Sequence, residues 1–211
     1  MSKRFIGAPL VALALLASSA NAQHVGTSFG ILVGGNFSDL KGNDVVSANI
    51  GTRTGLVAGV SLNVHLVGGW GLEPEILYSQ QGASINSSNV SAEGTIAFDY
   101  IQVPLLARWT IPLHGKVRPF VVGGPSFGYQ IGCSLEASGQ GGSASESCDS
   151  IEGYERYRFD VSGVAGAGVA FAVGHQAFTV QGRYNYGFQD VQDGSDAKNR
   201  GFSLLGGFEF R

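Results

Sequence analysis

From residue 26 to residue 210 the chain alternates apolar with polar or small residues in steps of two. Phe202, Leu204, Gly206, Phe208 and Phe210 share one parity, and Ser203, Leu205, Gly207 and Glu209 the other. Val180, Gly182, Tyr184, Tyr186 and Phe188 alternate in the same way with Gln181, Arg183, Asn185 and Gly187. So do Ile101, Val103, Leu105, Ala107 and Trp109 with Gln102 and Arg108. Phe159, Val161, Gly163, Ala165, Ala167, Val169 and Phe171 alternate with Arg158, Asp160 and Ser162. Period two is the mark of a strand with two unlike faces. Eight such stretches are predicted, at roughly 26–38, 53–66, 70–82, 95–109, 117–131, 155–171, 177–190 and 200–210.

The breaks between them are of two kinds, and the kinds take turns. Short ones fall at Val67-Gly68-Gly69, at Ile111 to Lys116 and at Val173-Gly174-His175-Gln176. Long ones, rich in Ser, Asn, Asp and Gly, fall at 39–52, 83–94, 132–154 and 191–199. Tight turns at one end and long polar loops at the other are the pattern of an outer-membrane barrel, with both termini on the tight-turn side. A soluble sandwich would alternate too, so periodicity alone does not assign a solvent. Two features favour lipid. Trp70, Tyr78, Trp109, Phe127, Tyr129, Phe171, Tyr184, Tyr186 and Phe188 fall near predicted strand ends, where aromatic girdles belong. The apolar faces are also rich in Ala, Gly, Val and Leu, which hydrocarbon tolerates but a close-packed soluble core does not. The expected fold class is all-β: an eight-stranded, antiparallel, up-and-down transmembrane β-barrel.

Composition sharpens this picture. Glycine, at 33 of 211 residues, interrupts almost every apolar run, which disfavours helix and suits turns and close strand contacts. The net charge of -3, with no basic stripe, excludes a nucleic-acid footprint. At the N-terminus Lys3 and Arg4 precede a short apolar core, Leu10 to Ala17, and the small-x-small triplet Ala20-Asn21-Ala22. Residues 1–22 therefore read as a secretory signal peptide and 23–211 as the exported barrel domain. In an exported chain the two cysteines, Cys133 and Cys148, are expected to form a disulfide. The bridge would close the Gly/Ser-rich segment between them, a constraint of about 3 kcal/mol in the chain-entropy model.

Several segments together resemble the outer-membrane β-barrel family often labelled porin-like, which includes the PorT-type proteins. They are Gly34-Gly35-Asn36-Phe37-Ser38-Asp39-Leu40, Glu73 to Gly82, Tyr100-Ile101-Gln102-Val103-Pro104-Leu105-Leu106 and Arg118 to Pro125. Gly163 to Gly168, Arg183-Tyr184-Asn185-Tyr186-Gly187 and Asn199-Arg200 complete the ordered set. The resemblance implies an eight-stranded barrel and an outer-membrane location, and it implies little chemistry.

The candidate chemistry lies on the inward face. Asn63, Glu75, Gln102, Arg108, Arg118, Asp160, Gln181, Arg183 and Glu209 are expected to form a polar network in the lumen. An unpaired buried charge is costly, so opposite charges should pair. Glu75 is expected to meet Arg108 or Arg118. The bland reading, a structural plug, outweighs an ion path. An enzyme is not expected: His24, His65, His114 and His175 all fall at the N-terminus or near tight turns, out of reach of any outer-loop serine. The outer-loop acids Asp149, Glu152, Asp190, Asp193 and Asp196 read as solvated loop charges. No cofactor or metal is expected, and Gly123-Gly124 lacks the lysine and helix of a phosphate loop.

The functional reading is an integral outer-membrane protein with a structural or surface-interaction role. The alternatives are a porin-like passage for small solutes or ions, and a scaffold in a secretion or surface-assembly system. The expected partners are outer-membrane lipid and lipopolysaccharide, with periplasmic chaperones and the barrel-insertion machinery during delivery. The segment stapled by Cys133 and Cys148 is the first choice for a protein contact. Deleting residues 134–147 is expected to spare folding and abolish partner capture; a partner retained at full affinity in a pull-down refutes that choice.

Overall fold

The computed structural model describes residues 26–41, 50–87, 92–113, 115–139, 142–148, 158–190 and 198–210. The expected signal peptide, His24, His114 and most of the outer-loop acids lie outside these residues. Among the described residues nine strands follow in chain order: β1 (Thr27–Lys41), β2 (Ile50–His65), β3 (Trp70–Ser87), β4 (Ala92–Thr110), β5 (Val117–Gly139), β6 (Gly142–Ser147), β7 (Phe159–Val173), β8 (Gln176–Asp190) and β9 (Lys198–Phe210). Each pairs antiparallel with its neighbours, and β1 pairs with both β2 and β9. β4 pairs with β5 along its length, which closes a ring of eight strands, β1-β2-β3-β4-β5-β7-β8-β9. β6 stands outside the ring, a short partner to the outer end of β5. Closure leaves the eight strands of the ring without an unpaired edge, which strands that cross hydrocarbon require.

The strand count and the turn pattern match the alternation in the sequence. Thr27 and Phe210 both lie at the tight-turn end, where Phe29 pairs with Phe210. One tight turn links β7 to β8 through Gly174 and His175, with Gly174 at φ 63°, a left-handed conformation that favours glycine. The other end differs from expectation. Residues 83–87, 92–94, 132–139 and 142–147, expected in loops, extend β3, β4 and β5 beyond the predicted strand ends and form β6. These extensions are polar and small on both parities, so they lack the apolar face that marks a strand in lipid.

Alternation sorts the side chains as a membrane barrel requires. On β1, Ile31 and Val33 are 50% and 55% exposed while Leu32 between them is 2% exposed. The outward set includes Leu56, Val60, Leu62, Leu72, Ile76, Val103, Leu105, Val121, Val180 and Leu204. Aromatic rings flank this band. Trp70 and Trp109 (6.2 Å between centroids), Phe178 and Phe208 (4.7 Å) and Phe210 lie toward the tight turns. Phe127 and Phe159 (6.4 Å) and Tyr186 and Phe188 (6.0 Å) lie toward the other end. Phe29 and Phe37 on β1 belong to opposite belts. Eight residues of strand span about 27 Å, or about 21 Å along the membrane normal at a tilt near 40°, close to a ~25 Å apolar band.

Glycine lets neighbouring strands approach and leaves room for large lumen residues. Gly166 faces Arg183, Gly168 faces Gln181, Gly30 faces Glu209 and Gly207 faces Leu32. At Gly59 a Cβ atom would strike the Ile76 carbonyl oxygen of β3. At Gly123 it would stand 3.6 Å from the nearest atom, the Val164 carbonyl oxygen. Gly59→Ala is therefore expected to cost at least about 1–3 kcal/mol and to deplete the compact, heat-modifiable band on a gel. Gly123→Ala should migrate as the parent does. Equal behaviour of the two variants removes this account of Gly59.

Candidate functional site

Two ion-pair clusters cross the lumen. Arg108 projects inward from β4, where its Nη1 donates to Glu73 Oε2 of β3 at 3.1 Å and to Glu209 Oε1 of β9 at 2.7 Å. Its guanidinium lies 3.8 Å from the centroid of the Phe120 ring on β5, in cation–π contact. Further along the barrel, Arg183 of β8 grips Glu75 of β3 bidentately, Nη1 to Oε2 and Nη2 to Oε1, each at 2.6 Å. Its Nε and Nη2 also donate to Gln181 Oε1 at 3.1 Å. In the eight-strand ring β4 stands opposite β9, and β3 stands opposite β8. Both clusters therefore span the full width of the barrel. All six side chains are buried.

Apolar layers fill the space between these struts. Leu106, Phe120, Val122, Val164 and Ala170 pack on one side of the lumen, and Leu32, Val57, Leu77 and Leu205 on the other. Toward the long-loop end a smaller hydrogen-bonded group joins three strands. Ser203 Oγ donates to Asn36 Oδ1 at 3.0 Å, and Asn36 Nδ2 donates to the Gln80 carbonyl at 3.1 Å. The opening there is lined by Asn36, Ser38, Gln81, Gln102, Asp160 and Asn185. It holds only about 10 Å³, roughly one water. The tight-turn mouth is wider, about 260 Å³, with Arg118 and Arg108 among its lining residues.

The expected lumen residues thus divide into groups. Glu75, Gln181 and Arg183 form one cluster, while Arg108 and Glu209 belong to the other. Gln102 and Asp160 lie at the long-loop opening, and Arg118 at the tight-turn mouth. Asn63 is buried, its amide without a partner among the described residues. The expected pairing of Glu75 with Arg108 or Arg118 is corrected: Glu75 pairs with Arg183. Arg108 is taken by Glu73 and Glu209. Pairing by neighbouring strands misleads here, because a closed ring places the partner of β3 directly across the lumen. Glu73 escaped the sequence reading although it sits two residues before Glu75, on the same face of the same strand. Parity alone could have found it.

The disulfide joins Cys133 of β5 to Cys148 just beyond β6, with Cα atoms 5.5 Å apart. Both cysteines are buried against Phe98 and Tyr100 of β4. The bridge thereby ties the β5–β6 hairpin to the outer part of the barrel. Of the histidines, His65 and His175 lie at the tight-turn end.

Comparison with known proteins agrees with this architecture. A family profile described as outer membrane protein beta-barrel domain matches residues 20–193. No curated protein matches the chain in sequence. Among solved structures, Neisserial surface protein A aligns with 88% of this chain and 98% of its own, at 14% identity and a TM-score of 0.52. OprG from Pseudomonas aeruginosa aligns with 89% of this chain and 96% of its own, at 12% identity and a TM-score of 0.53. The outer membrane enzyme PagL aligns more loosely, at 12% identity and a TM-score of 0.43, over 87% of this chain and 99% of its own. At such identities the likeness is one of fold.

The two struts are expected to differ in strength. Glu75→Gln leaves Arg183 without a carboxylate and should cost about 3–5 kcal/mol of unfolding free energy, read from urea titration of the barrel in liposomes. Glu73→Gln should cost less than half as much, because Arg108 retains Glu209. Replacing both Glu75 and Arg183 by Leu and Met should recover most of the loss. Equal costs for the two single variants contradict this division.

Proposed function

The chain belongs to the outer membrane protein β-barrel domain family and is an outer-membrane β-barrel protein; on that footing we propose a non-conducting, non-catalytic barrel with a structural or surface-interaction role. The observation that carries this reading is the filled lumen. Two arginine struts cross it between opposite strands, and apolar clusters occupy the space around them. A solute would have to break two buried, charge-assisted contacts at once, and each is expensive to leave unmade. The polar opening at the long-loop end has room for about one water, which further supports a plug.

The outward end supports the surface role. There β3, β4, β5 and β6 continue past the aromatic belt as one paired sheet, stapled by Cys133 and Cys148. A rigid, polar, backbone-paired platform above the membrane suits contact with lipopolysaccharide or a protein. The non-catalytic reading rests on the same geometry. His65 and His175 are at the opposite end from this platform, and no group of three metal-ligating side chains gathers among the described residues.

Purified barrel in planar bilayers is expected to give no discrete single-channel openings over a range of voltages. Steady openings at single-molecule dilution, retained after removal of contaminating porins, overturn the plug and favour the passage for small ions.

A further inference from the structure

The tight-turn mouth has a chemistry of its own. Its lining includes the apolar residues Leu66, Trp70, Ile111, Pro112 and Leu113. It also includes Arg118 and the strut residue Arg108. The two buried arginines are matched to carboxylates: Arg183 holds Glu75, and Arg108 holds Glu73 and Glu209. Arg118 differs. It shares the inward parity of Phe120 and Val122, pairs in register with buried Ala170, and makes no ion pair with any described residue. Arg108, 3% exposed, also lines the cavity. Arg108 is already shared between Glu73 and Glu209, whereas Arg118 has no carboxylate partner among the described residues. His65 lines the cavity too, its Nδ1 3.1 Å from the Gly26 carbonyl oxygen.

A cavity of about 260 Å³, lined by apolar residues and by the guanidinium of Arg118 without a carboxylate partner among the described residues, suits a small molecule of matching polarity. Its position adds a second argument. Trp70 lines the cavity and sits 6.2 Å from Trp109 in the aromatic belt, so the mouth opens at the level of the membrane interface, where amphiphiles concentrate. We propose that the tight-turn mouth binds a small amphiphilic anion, with its carboxylate or phosphate on Arg118 and its short apolar chain against Trp70 and Leu113. Arg suits this role because its planar fork meets either head group with two hydrogen bonds. The proposed contacts, Arg118, Trp70 and Leu113, are not members of either strut, although the strut residue Arg108 also lines the cavity.

Both tryptophans of the chain report on this place. The refolded barrel in zwitterionic nanodiscs is titrated with hexanoate and, separately, hexyl phosphate, with hexanol and hexylammonium as controls, and tryptophan fluorescence is followed. Saturable quenching by an anion is expected, at least about tenfold tighter than by the alcohol of equal chain length, and weakened by salt. Whichever anion binds tighter identifies the head group as a free acid or a phosphate ester. Arg118→Gln should lower the anion's affinity by about tenfold or more with unchanged gel migration. Leu113→Glu, on an exposed turn residue, should do the same by placing a negative charge on the wall. Equal quenching by hexanoate, hexyl phosphate and hexanol overturns the proposal, and so does parental anion affinity in both variants.

Discussion

The width of an eight-stranded ring governs this protein. The interior of such a barrel is just wide enough to be filled by side chains, and here an arginine reaching from one wall meets a glutamate reaching from the wall opposite. Arg183 and Glu75 meet at 2.6 Å in a bidentate grip, and Arg108 reaches Glu209 at 2.7 Å. Only charge-assisted pairs of this kind tolerate burial so far from bulk water. The ring size, the long side chains and the opposing glycines such as Gly166 and Gly30 are therefore parts of one solution. A larger ring would leave the charges apart, and a smaller one would exclude them.

The outer face obeys a different solvent. Hydrocarbon asks only that backbone groups be satisfied and that no charge face it. The lipid-facing positions accordingly carry Ile, Val, Leu and Ala, without the tight interlocking that a soluble core demands. Size matters at the rims instead, where Trp70, Trp109, Tyr184 and Tyr186 can keep their polar atoms near water and their rings in lipid. The apolar clusters inside the barrel are small by comparison, because polar struts occupy part of the same volume.

The two ends of the barrel are unlike. The tight-turn end has the minimum of connecting chain, which leaves a mouth shaped by strand ends and by the Ile111–Leu113 segment. The other end carries paired strand well past the membrane, and β5 alone runs for 23 residues. There the backbone pairing of β5 with β4 and β6, and the Cys133–Cys148 bridge packed on Phe98 and Tyr100, supply the order.

Period-two alternation was enough to read eight strands, their inward and outward faces and the order of short and long connections, because register in a membrane barrel is dictated by two solvents that differ sharply in polarity. The two cysteines, in an exported chain, were likewise enough to expect their bridge. Which charge meets which was not legible. Parity shows that Glu75, Arg108 and Arg183 all point inward, but the partner is chosen by the stagger and closure of the ring, and these depend on strands more than a hundred residues apart. The strand extensions at 132–139 and 142–147 were equally hidden, since their sequence is dominated by Gly, Ser, Ala and Glu and carries no hydrophobic period. Local polarity thus determined the strands and their faces; only closure in three dimensions decided the contacts across the lumen, because a diameter is not a property of any one strand.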